Sequence, residues 1–286
     1  MIQEDEGMLV DFLNDYYQAN LKSIHDVAGN QHLVGNSKVF HGPLFVKIFR
    51  EKAMFYAEQH VNQFYYPDIY LDSVIFEDKY VVTLRDRELK DVDQHKVTSE
   101  MAYNYGRLLG SFHEKVTGNV SVEENKQLLS QILIQRVEQL QGSIYYENAQ
   151  KVLQLLSFNF VKTNLEYEQL PKVVLHGDFS VRNIMEFEGK DILIDFERSH
   201  VGTSYQDFIK FFYNEVRDVK LRNEFLRGYE KEHPFEIPSN DLQRCLLFLC
   251  ALDISQYNVT HSGGKFGDMA SNMIATIKDG NAVLEL

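Results

Sequence analysis

The sequence predicts an α+β protein in two lobes, a small antiparallel-sheet lobe followed by a larger, mainly helical one. Three observations carry that expectation. Between Gly29 and Leu84, short β-rich runs are punctuated by Gly29, Gly35 and Gly42 and by a turn at Glu77 to Lys79. Beyond Leu84 the apolar positions recur mostly at helical spacing. A single β-rich stretch, Lys172 to Ile194, interrupts that helical part. The chain has 286 residues, 44% hydrophobic and 25% charged, which is enough for two lobes with buried cores. The expected division is 1–84 and 85–286, with the charged connector beginning as a hinge at Arg85 to Leu89.

Residues 8–27 read as an amphipathic helix, with Met8, Leu9, Phe12, Leu13, Tyr16 and Tyr17 on the helical period. Lys38 to Phe40 and Leu44 to Phe49 read as strands about a turn at His41 to Pro43, and a helix follows from Glu51 to Phe64. Ile69 to Phe76 and Tyr80 to Leu84 complete the small sheet. Downstream, 97–115 places Tyr105, Leu108, Leu109 and Phe112 on one face. Further helices are expected over 126–141, 145–165, 204–216, 219–231 and 241–257, the last with N-cap candidates from Ser239 to Asp241.

Asp and Glu total 42 against 29 Lys and Arg, a formal charge of −13, which argues against a nucleic-acid binder. That charge is compatible with a cationic substrate and equally with a solvated acidic surface. Cys245 and Cys250 lie in one apolar run and read as reduced core thiols. The N-terminus is acidic, no apolar signal region follows it, and no apolar stretch is long enough to span a bilayer. A cytoplasmic protein with no membrane partner is expected.

The chemistry concentrates in Val173 to Phe196, VVLHGDFSVRNIMEFEGKDILIDF. Ile184 to Phe187 and Ile192 to Ile194 flank a turn at Glu188 to Asp191 and read as a β-hairpin. With Gly189 as its centre, Asn183 and Asp195 face each other. Asp178 ends its own short strand five residues before Asn183. Two carboxylates and an amide oxygen suit hard, oxygen-preferring Mg²⁺. Either aspartate alone reads as a turn former after a strand. An Asp followed five residues later by Asn, with a second Asp at the next strand end, is the arrangement of base and metal residues in protein kinases.

HGDFSVRN followed by LIDFE resembles the aminoglycoside phosphotransferase and choline kinase superfamily, the kinase-like phosphotransferases, over roughly residues 29–215. Supporting matches are SHVGTSYQDF at 199–208 and YGRLLGSFHEK at 105–115. The resemblance implies a protein-kinase-like fold with a nucleotide-binding N-lobe, and ATP- or GTP-dependent phosphorylation of a small-molecule hydroxyl with Mg²⁺. Its substrates would be aminoglycoside-, choline- or amino-sugar-like. Asp178 would then be the catalytic base, Asn183 and Asp195 the metal ligands, and Lys47 of FVKIF the phosphate-binding lysine. Glu58 of MFYAE would pair with Lys47, with Glu51 of REKAM as a rival; Ser180 and Arg182 would touch the γ-phosphate, although Arg182 reads equally as a solvated loop cation. Asp207 would brace the site from the start of a helix. The glycines at 29 and 35 do not form G-x-G-x-x-G.

His176 reads as a structural imidazole, since no second His or Cys stands at ligand spacing. Glu197 reads as a second metal contact or a structural hydrogen-bonding group. Phe208, Phe211, Phe212 and Tyr213 read as helical core. Asp253, Tyr257 and His261 read as pocket lining or as a partly exposed helix end. Only about nine residues separate Asp195 from the next helix, too few for a peptide-docking platform, which favours a small acceptor. Two rival readings are a weakly active pseudokinase serving as a nucleotide-binding regulatory module, and a metal-dependent hydrolase built on His176, Asp178 and Asp195.

Overall fold

The computed structural model describes residues 2–27, 30–92, 96–260, 266–281 and 283–284. Gly29 and His261 lie outside the described residues. The chain divides into two compact units: Met1–Val92 with Lys115–Glu123 and Arg182–His200, and Asp93–Glu114 with Glu124–Val181 and Val201–Leu286. The first unit therefore runs past residue 84 and takes in the hairpin that follows Asn183.

In the first unit, α1 (Ile2–Tyr17) is followed by β1 (Lys22–Val27), β2 (Asn30–Ser37) and β3 (Gly42–Phe49), then α2 (Lys52–Tyr65), β4 (Tyr70–Phe76), β5 (Lys79–Arg85) and the short β6 (Lys90–Asp91). The main sheet runs β1-β2-β3-β5-β4, every adjacent pair antiparallel. Leu9, Leu13 and Tyr17, spaced i, i+4, i+8 on α1, bury against Leu33, Val46, Ile48 and Val81 of the sheet. The helix expected to reach residue 27 stops at Tyr17. Gln18 takes φ +45°, and Ala19 bridges to Ser37, so the chain turns into the sheet and emerges as β1. The strand expected at Lys38 to Phe40 lies earlier, at β2. Ser37 Oγ donates to the Tyr17 carbonyl and accepts from Phe40 N, and His41 takes φ +53°, so 38–41 is the turn.

The second unit begins with α3 (Ser99–Lys115). Next come β7 (Glu123–Glu124), α4 (Leu129–Gln139), α5 (Tyr146–Ser157) and α6 (Phe160–Gln169). The single helix expected over 145–165 is thus broken in two. After β8 (Val173–Leu175) come the hairpin strands β9 (Ile184–Phe187) and β10 (Lys190–Leu193), counted with the first unit, and then β11 (His200–Gly202). Four helices end the chain: α7 (Tyr205–Asn214), α8 (Val219–Tyr229), α9 (Asn240–Thr260) and α10 (Gly267–Lys278). Ser239 Oγ accepts from Leu242 N and caps α9.

The core of the second unit is aromatic. Phe208, Phe211, Phe212, Phe225 and Tyr229 are buried on α7 and α8, and Tyr213 is half-buried, with its hydroxyl donated to Thr276 Oγ1. Helices α3 and α8 cross so closely that a Cβ on Gly106 would stand 2.0 Å from the Phe225 carbonyl oxygen, and one on Gly228 2.0 Å from that of Tyr103. Cys245 and Cys250 are free thiols on α9. Among the described residues no helix is long and apolar enough to cross a membrane.

Candidate active site

The loop between β8 and β9 carries His176, Gly177 and Asp178. Gly177 takes φ +80°, a conformation that glycine adopts without the Cβ penalty. Asp207, in the first turn of α7, holds that loop by its backbone: Oδ2 accepts from His176 N at 2.8 Å and Oδ1 from Gly177 N at 2.9 Å. His113 Nε2 meets Asp207 Oδ2 at 3.0 Å, and His113 Nδ1 meets the Tyr229 hydroxyl at 2.7 Å. Burial holds His113 below the usual histidine range despite the Asp207 carboxylate. A neutral imidazole donating from Nε2 and accepting at Nδ1 satisfies both partners. Burial pushes Asp207 upward, but His113 and the loop amide outweigh it and hold the carboxylate below its ordinary value.

Phe179 anchors the other side of the loop, its ring centroid 4.9 Å from that of Phe211. Asp178 is nearly buried and pairs with Lys210 of α7, Nζ to Oδ1 2.5 Å. His176 is fully buried, and its Nδ1 accepts from Asp178 N at 3.4 Å, consistent with a structural role in the turn. Ser180, read as a phosphate contact, is 3% exposed and its hydroxyl has no hydrogen-bond partner among the described residues, whereas Arg182 is exposed.

The first unit gathers the other charged groups. Lys47 lies in the middle of β3, paired with His32 on one side and Val82 on the other. Its ammonium stands 2.9 Å from Glu58 Oε1 and 2.6 Å from Asp195 Oδ1. Lys47 and Glu58 are buried, and the Asp195 side chain is 35% exposed. Burial pulls the Lys47 ammonium down, but Asp195, Glu58 and Glu197 outweigh it and push it up. Glu51 is exposed just before α2, so the carboxylate on Lys47 from that helix is Glu58. Glu197 is pushed up to about 7, first by burial and then by Asp195, and it accepts from Asn30 Nδ2 at 3.0 Å.

The hairpin register corrects one expectation. Phe187 pairs with Lys190 and Ile184 with Leu193, about a two-residue turn in which Glu188 and Gly189 take φ +51° and +75°. The centre falls between those two residues, so Asn183 lies opposite Ile194, whose N–H donates to the Asn183 carbonyl at 3.0 Å. Asp195 is the next residue out and takes φ +69°. The hairpin is held to α2 by the Tyr66 hydroxyl, which accepts from Leu193 N at 3.2 Å, and by Phe196 against Tyr65 and Tyr66.

His113, Tyr229 and Lys210 received no role from the sequence. His113 sits in the FHEK motif at the end of α3, and Lys210 follows Asp207 by three residues, one helical turn along the same face.

Residues 68–241, more than half of the chain, match the model of the phosphotransferase enzyme family. The chain belongs to that family. Solved structures extend the likeness in fold to nearly its whole length. An amicoumacin kinase, in complex with AMP-PNP, Ca²⁺ and its ligand, has a TM-score of 0.63 at 13% identity, covering 99% of this chain and 96% of its own. Choline kinase LicA from Streptococcus pneumoniae has a TM-score of 0.65 at 13% identity, with 97% and 98% coverage. The aminoglycoside phosphotransferase APH(4)-Ia has a TM-score of 0.65 at 12% identity, with 96% and 98% coverage. No curated protein matches the chain by sequence. This phosphotransferase has the α+β fold of the kinase-like enzymes, with an antiparallel sheet in one unit and a helical second unit.

Proposed function

We propose that this phosphotransferase moves the γ-phosphoryl group of ATP or GTP to a hydroxyl of a small molecule, working in the cytoplasm. The observation that carries the reading is Lys47, a buried ammonium held between Glu58 and Asp195. Burying Lys47 and Glu58 costs desolvation that a sheet core does not need, and a fixed cation ready for phosphate explains the expense. Solved relatives of the same fold contain AMP-PNP or ADP, which supports a nucleotide as donor.

In this reading residues 1–84 bind the nucleotide and 85–286 carry the base and the acceptor pocket. Lys47 contacts the phosphates, while Glu58 fixes its position. Asp178 accepts or orients the proton of the acceptor hydroxyl. Asn183 and Asp195 would hold Mg²⁺. The donor set fits, being an amide oxygen and a partly exposed carboxylate, and two protein oxygens leave the remaining positions to water and phosphate. Bound there, the ion supplies charge neutralisation at the phosphates. Arg182, exposed on the loop, would meet an anionic group of the nucleotide; Ser180, buried, would need a shift of the loop to do so.

Nucleotide titration by calorimetry with and without Mg²⁺, beside ADP release over a panel of alcohols, tests the reading. Asp178→Asn should bind Mg-nucleotide nearly as wild type while turnover falls by about three orders of magnitude or more. Asp195→Ala should lose the magnesium-dependent part of binding. Equal affinity and equal magnesium dependence in wild type and Asp195→Ala would remove Asp195 from the metal site and the reading with it.

A further inference from the structure

We propose that Lys210 forms an anion-selecting subsite beside the base, so that the acceptor carries a carboxylate or another acidic group next to its reacting hydroxyl. This rests on the phosphotransfer reading and narrows its substrate class.

Asp207 and Lys210 stand three residues apart on α7 and so share one face. Asp207 holds the backbone of the loop at His176 and Gly177, and Lys210, one turn on, reaches the loop's own carboxylate at 2.5 Å. The Lys210 side chain is 24% exposed and that of Asp178 9%. The ammonium also lies 5.6 Å from the centroid of the Phe266 ring, a cation–π contact. Any hydroxyl that approaches Asp178 therefore approaches the Lys210 ammonium as well.

The acids around Lys210 leave it able to donate to an incoming ligand. Asp178 is its own partner and takes one of its three N–H groups. Glu215, at the end of α7, is pushed up to about 7 by burial, so at neutral pH it carries only part of its charge. Asp253 of α9 is engaged by Arg136 Nε at 3.2 Å. An amine on the carbon next to the carbinol would meet Lys210 as a like charge in a partly desolvated place. A carboxylate on that carbon would meet an ammonium with three N–H donors, of which Asp178 takes one. The overall negative charge of the protein acts at long range and is screened by salt, whereas this contact is local and is not.

The test uses matched acceptors: gluconate against glucosamine, and glycerate against 2-aminoethanol. ADP release from Mg-ATP is measured for wild type, Lys210→Met and Lys210→Glu. Each variant is read as the ratio of acid to amine, so that a general loss of turnover cancels. Wild type should favour the acid of at least one pair by about tenfold or more, Lys210→Met should bring that ratio towards one, and Lys210→Glu should invert it. A wild-type preference for the amines, a ratio unchanged in Lys210→Glu, or no response to any of the four compounds overturns the subsite. Magnesium-dependent nucleotide binding, titrated separately, reports on the phosphotransfer reading itself, so the two fail independently.

Discussion

His113 and Asp207 meet at 3.0 Å in the core of the second unit, and through that contact one buried carboxylate fastens both α3 and the backbone of the Asp178 loop. Asp207 accepts from two main-chain amides as well as from the imidazole, so its removal orphans three donors at once. Asp207→Ala should destabilise the protein by about 3–5 kcal/mol in urea unfolding, and the loss should exceed that of Asp207→Asn, which keeps one acceptor oxygen.

The same network sets an acid limit. His113 is held neutral when folded, while in the unfolded chain it takes a proton at its ordinary pKa of about 6.5. Its contribution is therefore complete above pH 6.5 and declines as pH falls below that value. Unfolding free energies measured between pH 8 and 5 should fall less steeply for His113→Gln than for wild type below pH 6.5.

Glu215 runs the other way. It accepts from Asn214 Nδ2 at 2.8 Å, and burial raises it from 4.5 to about 7. Folding thus suppresses its ionisation, and stability declines as pH rises from 4.5 to 7. Glu215→Gln keeps an acceptor and abolishes the charge. It should stabilise the protein by about 2–3 kcal/mol at pH 8, with the gain vanishing near pH 4.5. A gain equal at both pH values would mean that packing, not ionisation, sets the difference.

Helix crossing gives a purely steric prediction. Gly106 and Gly228 let α3 and α8 touch backbone to backbone, and a methyl group at Gly106 would overlap the Phe225 carbonyl. The listener on the other side of that contact is main chain, which cannot rotate away. Gly106→Ala should therefore cost about 3 kcal/mol or more in urea unfolding, although alanine favours helix elsewhere.

The segments legible in the sequence were those whose signal is local. The periodicity of 97–115 and of 204–216 needs only neighbouring residues to express itself, and both are helices at nearly those bounds. The α1–β1 boundary was hidden because residues 18–21 continue an ordinary helical texture, and what ends the helix is a bridge from Ala19 to Ser37. The hairpin was legible as a hairpin, but its register depends on whether the turn holds two residues or four. Glu188 adopting φ +51° made it two, moving Asp195 one place out from Asn183. Lys210 carries no local signal because a lysine in a helix is usually solvated, and only the return of the loop onto α7 brings Asp178 to it.

What Lys47 does for stability and what it does for ligands can be separated by substitution. Its ammonium lies between Glu58, which is 1% exposed, and Asp195, which faces partly outward. Lys47→Met keeps the aliphatic volume but leaves the Glu58 carboxylate buried opposite no cation, so it should destabilise by about 3–5 kcal/mol. Lys47→Met combined with Glu58→Gln removes that stranded charge and should recover most of the loss in urea unfolding. Nucleotide affinity should follow neither stability value: both variants lack the cation and should bind Mg-ATP equally poorly by calorimetry. Recovery of stability together with recovery of nucleotide binding in the double variant would show that Lys47 serves the fold and not the phosphate.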